Sequence, residues 1–307
     1  MKGKKELKAL VVDPISNLLH LCYRFFFLRL MPAKIVVKKT FKNRHGYSPN
    51  LKDPQTLNEK LSWMKLYDRE RWHSFYADKF LVRNYFAKTF GEQHVIPLLF
   101  ESKNPDDIRP ENISEYPCIV KANHSSGQWK IIRRPEDLDW AQLRKTCRKW
   151  LSMNWYNYGK EYQYKFIEPR IVVEKLLQTK EGKIPNDYKL HFINGVCEFI
   201  YVSVDREGGN YRCVYDTNWQ KLPFVWIESW KYYPGINNVD VPRPDSLDEM
   251  IRMGSIIAQK FPRYIRVDFY DVDGHIYFGE ITFHHGGGYD SFFPAEYDKI
   301  YGKKLIL

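Results

Sequence analysis

Arg266-Val-Asp-Phe-Tyr270 and Phe278-Gly-Glu-Ile-Thr282 lie on either side of Asp273-Gly274, and the reading of the chain turns on them. Asp-Gly between two alternating runs is a strong hairpin signal, so strands are expected over 264–271 and 275–283. Alternation puts Arg266, Asp268 and Tyr270 on one face, and Phe278, Glu280 and Thr282 on one face of the partner strand. Asp268 and Glu280 should then meet across the ladder. Two carboxylates side by side are costly unless a cation lies between them, and Mg²⁺ holding nucleotide phosphates suits such hard oxygen donors. Arg266 would neutralise charge on a transferring phosphoryl group. A solvated surface hairpin explains these residues less well, because they sit within β-branched and aromatic strands.

Outward from the hairpin, Lys121 sits in the strand-like run Cys118-Ile-Val-Lys-Ala122. Ser125, Ser126 and Gly127 follow in a loop whose backbone amides can fold over phosphate, although Ser-Ser-Gly alone is ordinary turn material. A lysine within such a strand is costly unless an anion meets it. Lys79, in Asp78-Lys79, can reach the same phosphates. Ile171-Val-Val-Glu-Lys-Leu-Leu177 reads as an apolar edge strand able to offer backbone groups to an adenine ring.

Elsewhere, Thr56-Leu-Asn-Glu59 predicts a capping box opening a helix through residue 66, and a second helix is expected over 74–88, closed by Gly91. Strands are expected over 95–100, 128–133, 187–193, 196–204 and 212–215, with helices over 136–151 and 245–261. The fold class is therefore α+β. The expected organisation is a basic segment (1–50), a helical region (51–116), a small lobe with Lys121 (117–170) and a larger antiparallel lobe with the carboxylates (171–307).

The net charge is +11, and residues 1–45 hold eleven Lys/Arg against Glu6 and Asp13, which places about +9 there. A nucleic-acid reader would spread basic residues over its folded body, so nucleic acid is not an expected partner. The apolar stretch 15–31 is interrupted by His20, Arg24 and Arg29 and is too short and charged to span a bilayer. It suits a helix docked on the body or lying in an anionic membrane surface. No signal-peptide cleavage pattern follows it, and five cysteines without a C-x-x-C pair argue for a reducing, cytoplasmic setting, peripheral at the inner membrane face if the segment docks there.

Taken in order, Asp78-Lys79, Val120-Lys121 with Ser125-Ser126-Gly127, Val173-Glu174-Lys175-Leu176, Asp187-Tyr188-Lys189, Asp205-Arg206, Arg266-Val-Asp268 and Gly279-Glu280-Ile-Thr282 resemble the ATP-grasp superfamily, and most closely its TupA-like branch. The resemblance runs from about residue 51 to the end. It implies an ATP-grasp fold with ATP clamped between two lobes, and Lys79 and Lys121 on the phosphates. Glu174, Lys175, Leu176 and Leu177 would lie along adenine, and Asp187 would meet the ribose. Asp268, Glu280 and Thr282 would ligate Mg²⁺, with Arg266 and Lys189 catalytic. Thr282 departs from the asparagine common at that position, and a hydroxyl is a weaker ligand. The branch further implies a ligase that activates a hexuronic acid of a surface polysaccharide, or its lipid-linked precursor, as an acyl-phosphate and joins it to an amino acid. Arg206, Arg212, His284 and the aromatics between 155 and 233 are the residues expected to hold an acidic sugar.

Two other classes compete. A glycosyltransferase would use Asp271-Val-Asp273 as a metal-binding D-x-D, although Asp273-Gly274 is better explained as a turn. A non-catalytic glycan- or membrane-binding module would explain the aromatics and the basic segment, but not Lys79, Lys121, Asp268 and Glu280 together.

Overall fold

Period-two alternation from residue 118 to 132 produces the first sheet. The computed structural model describes residues 26–209, 211–227 and 239–307. Strands β1 (Leu98–Ser102), β2 (Cys118–Ala122), β3 (Trp129–Ile132) and β4 (Ile171–Lys175) form a four-stranded antiparallel sheet in the order β1-β4-β2-β3. Cys118, Val120, Ile171 and Val173 point to one face, where they bury against Leu143 and Cys147 of helix α5 (Trp140–Leu151). Ile119, Lys121 and Glu174 point the other way, toward a cleft. The strand read as an edge, β4, is in fact interior, paired on both sides. This sheet also takes strands from beyond both ends of 117–170, so the expected boundaries are too narrow for the small lobe.

The second sheet is five-stranded and antiparallel, ordered β10-β9-β5-β6-β7: β5 (Asp187–Ile193), β6 (Val196–Val204), β7 (Tyr211–Tyr215), β9 (Tyr264–Val272) and β10 (His275–Thr282). Short β8 (Val225–Ile227) pairs separately with β11 (Ser291–Phe293). Leu190, Phe192, Ile265, Val267 and Phe269 cover the back of the five-stranded sheet and bury against Leu247, Met250, Met253 and Ile257 of helix α7 (Leu247–Ala258). Gly254 is required there, since a Cβ would stand 2.6 Å from the Phe192 ring. On the opposite face, Asp187, Lys189 and Asp268 look into the cleft, with Arg266 buried beside them.

Helices α1 (Ala33–His45) and α2 (Leu57–Tyr67) precede the sheets, the latter opened by the expected Thr56/Glu59 capping box. The single helix expected over 74–88 is two, α3 (His73–Ala77) and α4 (Leu81–Phe90). Asp78 breaks it, because its Oδ1 accepts from the Phe80 and Leu81 amides and restarts the helix. Phe86 of α4 stacks on Phe278 behind the large sheet, centroids 4.2 Å apart, so these helices belong to that core. α6 (Tyr156–Gly159) and α8 (Glu296–Lys304) are further helices. Of the apolar stretch 15–31, residues 15–25 lie outside the described residues, as do Trp230, Tyr232 and Tyr233. The four described cysteines are thiols.

Candidate active site

The carboxylate pair is built by a β-bulge. Phe278 pairs with Phe269 and Ile281 with Val267, so Gly279 and Glu280 together oppose Asp268. The extra residue reverses the alternation: Phe278, expected beside Glu280, points into the core with Ile281, while Glu280 faces the cleft. Gly279 makes this possible, because a Cβ there would lie 3.0 Å from the Asp268 carbonyl oxygen.

Between the carboxylates stands Arg266, not an empty cation position. Its Nε and Nη2 donate to Asp268 Oδ1 and Oδ2 at 2.6 and 2.7 Å, and Nη2 also donates to Glu280 Oε1 at 2.8 Å. Lys189 donates to Asp268 Oδ2 at 2.8 Å and to Asp187 Oδ2 at 2.5 Å. Burial would raise the Glu280 carboxyl, but Lys79, then Arg266 and Lys189, outweigh it and hold it well below the usual carboxylate range. Both carboxylates therefore face the cleft inside a cationic frame.

Across the cleft, Lys79 lies in the α3–α4 break. Its Nζ donates to the Ser125 carbonyl at 2.7 Å and stands 3.3 Å from Glu280 Oε2, tying the small-lobe loop to the large sheet. Ser125, Ser126 and Gly127 line the same cavity, with Gly127 at φ +73°. The anion expected to meet Lys121 is supplied by the protein: Lys121 Nζ donates to Glu174 Oε2 at 2.7 Å, and Arg83 Nη1 to Glu174 Oε1 at 2.6 Å. Burial would raise the Glu174 carboxyl, but Lys121 and Arg83 hold it down. Glu174 thus orients Lys121, and Arg83 joins the site unannounced, since an arginine on an amphipathic helix carries no sequence signal.

The cavity enclosed by these groups measures about 400 Å³. Its wall includes an apolar set, Ile96, Ile119, Ile131, Leu176 and Leu177, with Lys175, and the charged cluster, joined by Arg206, Arg212 and Tyr270. Asp187 lines it as well. Arg206 stands 3.7 Å from its Oδ2, while Asp187 Oδ1 is buried with no hydrogen-bond partner. A buried lone carboxylate oxygen at a cavity wall asks for a donor such as a hydroxyl.

Three expected site residues do not line this cavity: Thr282, His284, and Arg266, which meets it through Asp268 and Glu280. Thr282 Oγ1 donates to Glu280 Oε1 at 3.2 Å. His284 turns away to Gln163 Nε2, 3.3 Å, and Glu161, 3.6 Å, because neighbours in extended chain point to opposite sides. Both His284 and His285 are buried. His285 Nδ1 accepts from Arg266 Nη1 at 3.0 Å, which leaves Nε2 to donate toward the Trp226 carbonyl and Asp290, each 3.3 Å away. The D-x-D carboxylates are spent on the hairpin turn: Asp271 accepts from Gly274 N and Ser246, and Asp273 from Lys180 N.

The sequence matches a protein family described as TupA-like ATPgrasp over residues 59–306. No curated protein matches it. Similar solved structures include D-alanine--D-alanine ligase from Bacillus anthracis, at 16% identity and TM-score 0.40, with 68% of this chain and 57% of that one covered. N5-carboxyaminoimidazole synthetase from Staphylococcus aureus aligns at 17% identity and TM-score 0.36, over 68% of this chain and 44% of that one. The chain thus spans roughly half the length of these structures.

Proposed function

The chain belongs to the TupA-like ATP-grasp family, and from that premise we propose that it is an ATP- and Mg²⁺-dependent ligase joining a carboxylate to an amine. The observation that carries this reading is one cavity that combines an apolar slot with the carboxyl pair Asp268 and Glu280, framed by Arg266, Lys189, Lys79 and Lys121. Adenine fits the slot, and a ribose hydroxyl fits the orphan oxygen of Asp187.

Asp268 and Glu280 fit Mg²⁺ as hard oxygen donors. Among the described residues no third His, Cys, Asp or Glu joins them, which suits an ion that keeps water and phosphate oxygens as its other ligands. When bound, it would neutralise phosphate charge. Lys121 from the small lobe and Lys79 from the α3–α4 break would hold the phosphates. A substrate carboxylate oxygen attacks the γ-phosphorus and ADP leaves. The amine nitrogen then attacks the acyl carbon, inorganic phosphate leaves, and the amine proton is lost to a base. Arg266, held by three acceptors, stabilises the oxyanion that forms in this second step.

For the carboxylate we propose a hexuronic acid of a surface polysaccharide or its lipid-linked precursor, and for the amine an amino acid; Arg206 and Arg212 beside the charged end suit an acidic sugar. The protein would then work on the cytoplasmic side, where ATP is available. A thermal-shift comparison of ATP·Mg²⁺ with UDP-sugars and Mn²⁺ tests the class. Stabilisation by ATP·Mg²⁺ that is lost in Lys121→Ala supports the ligase. Stabilisation by a UDP-sugar alone would overturn it in favour of a glycosyltransferase. Phosphate release with paired uronic and amino acids then tests the substrates.

A further inference from the structure

Helix α1 exposes a face that the catalytic reading does not use. Val36, Val37 and Phe41 are fully buried against the body, and the opposite half of the helix carries Lys34, Ile35, Lys38, Lys39 and Lys42, all exposed. At 100° per residue these five fall within about 140° of one another. No acidic residue occurs between Asp13 and Asp53. Ile35 among these five, and Phe26 and Leu30 in the turns just before α1, are large apolar side chains turned to solvent, 48%, 55% and 62% exposed. Single exposed apolar residues are ordinary, but three within ten residues of a lysine-lined helix are not what solubility alone requires.

We propose that this face docks on an anionic lipid bilayer. Lysines that meet lipid phosphates, interleaved with aromatic and aliphatic side chains that enter the headgroup layer, form the chemistry of an interfacial helix. A phosphodiester polymer would use the lysines but gains nothing from Phe26, Leu30 and Ile35. The face is presented rigidly. Val37 is clustered with Leu51 and Leu66, and His45 Nε2 lies 3.4 Å from the Gly288 carbonyl, in the loop that also carries His285 against Arg266. Docking therefore sets the orientation of the cleft to the membrane.

The test is co-sedimentation of the full chain with vesicles of phosphatidylcholine alone and of phosphatidylcholine mixed with phosphatidylglycerol, without nucleotide, so that it is independent of the ligase reading. Binding is expected only to the anionic vesicles and should weaken with salt. Each lysine near such a surface changes partition about fivefold, so Lys38→Glu with Lys42→Glu should weaken binding at least about tenfold. Ile35→Ser should weaken it several-fold, at an unchanged unfolding midpoint. Absence of binding to anionic vesicles, or binding indifferent to Lys38 and Lys42, overturns the proposal. So does full competition by inorganic polyphosphate together with a silent Ile35→Ser, which would mean that the face takes a soluble polyanion.

Discussion

Replacing Glu174 by alanine removes the anion on which Lys121 and Arg83 depend. Its carboxylate is only 7% exposed and accepts from Lys121 and Arg83 at 2.7 and 2.6 Å. Taking away one partner of a buried ion pair costs about 3–5 kcal/mol, because the other charge stays buried and unpaired. Lys121 and Arg83 keep some access to cleft water, so the lower end, about 3 kcal/mol, is expected. Lys121→Met should cost less, about 1 kcal/mol, since Glu174 keeps Arg83. In the double variant the methionine removes a cation that has already lost its partner, so the two changes should fall short of additivity by about 1–2 kcal/mol. Urea unfolding followed by tryptophan fluorescence measures all three, with an unchanged m-value as the check that only stability moved. A Glu174→Ala cost below about 1 kcal/mol, or strict additivity, would refute the reasoning.

Glu280→Gln should leave the fold intact by circular dichroism, yet abolish both phosphate release and Mg²⁺-dependent stabilisation by ATP; retained ATP cleavage would sink the metal assignment. Gly279→Ala drives a Cβ to 3.0 Å from the Asp268 backbone and should cost about 1–3 kcal/mol while weakening the ATP·Mg²⁺ thermal shift, and a variant with wild-type stability and binding would show that the bulge tolerates a side chain. Burial raises the Asp298 carboxyl to about 6 despite its bonds to Asn58. Its folded pKa thus lies above the unfolded value, so its stabilising contribution is complete below about pH 4 and is lost as pH rises through about 6, a change of about 3 kcal/mol. The unfolding midpoint of Asp298→Asn should lack that pH dependence, and a variant that tracks the parent protein between pH 4 and 7 would count against it. His285→Leu removes the acceptor of Arg266 Nη1 and should lower the rate of phosphate release at least about tenfold with ATP binding little changed; the opposite pattern would deny His285 a positioning role.

Much of the architecture was legible because it rests on local rules. The capping box at Thr56, the Asp-Gly hairpin and the alternation of 187–193 and 264–271 each follow from backbone geometry over a few residues. The same rules put Lys79, Lys121, Asp187, Asp268 and Glu280 on strands and loops that line one cavity, with Arg266 bonded to the last two from behind. Where they failed, a side chain had acted on the backbone or a strand had lost its alternation. Asp78 cut a continuous helical pattern by capping its own successors, and the bulge at Gly279 parted Phe278 from Glu280.

By itself, then, the sequence determined the α+β class, the two antiparallel lobes and the identity of most cleft-facing charges, since these depend on period and on the cost of charge in apolar strands. Only the tertiary structure decided which charges pair. Glu174 answering Lys121, Arg83 joining from a helix ninety-one residues away, Arg266 standing between the carboxylates with His285 behind it, and His284 turned out of the site are contacts between elements distant in the chain. No local periodicity carries such information, because pairing across a cleft is set by how sheets and helices pack and not by what either strand prefers alone.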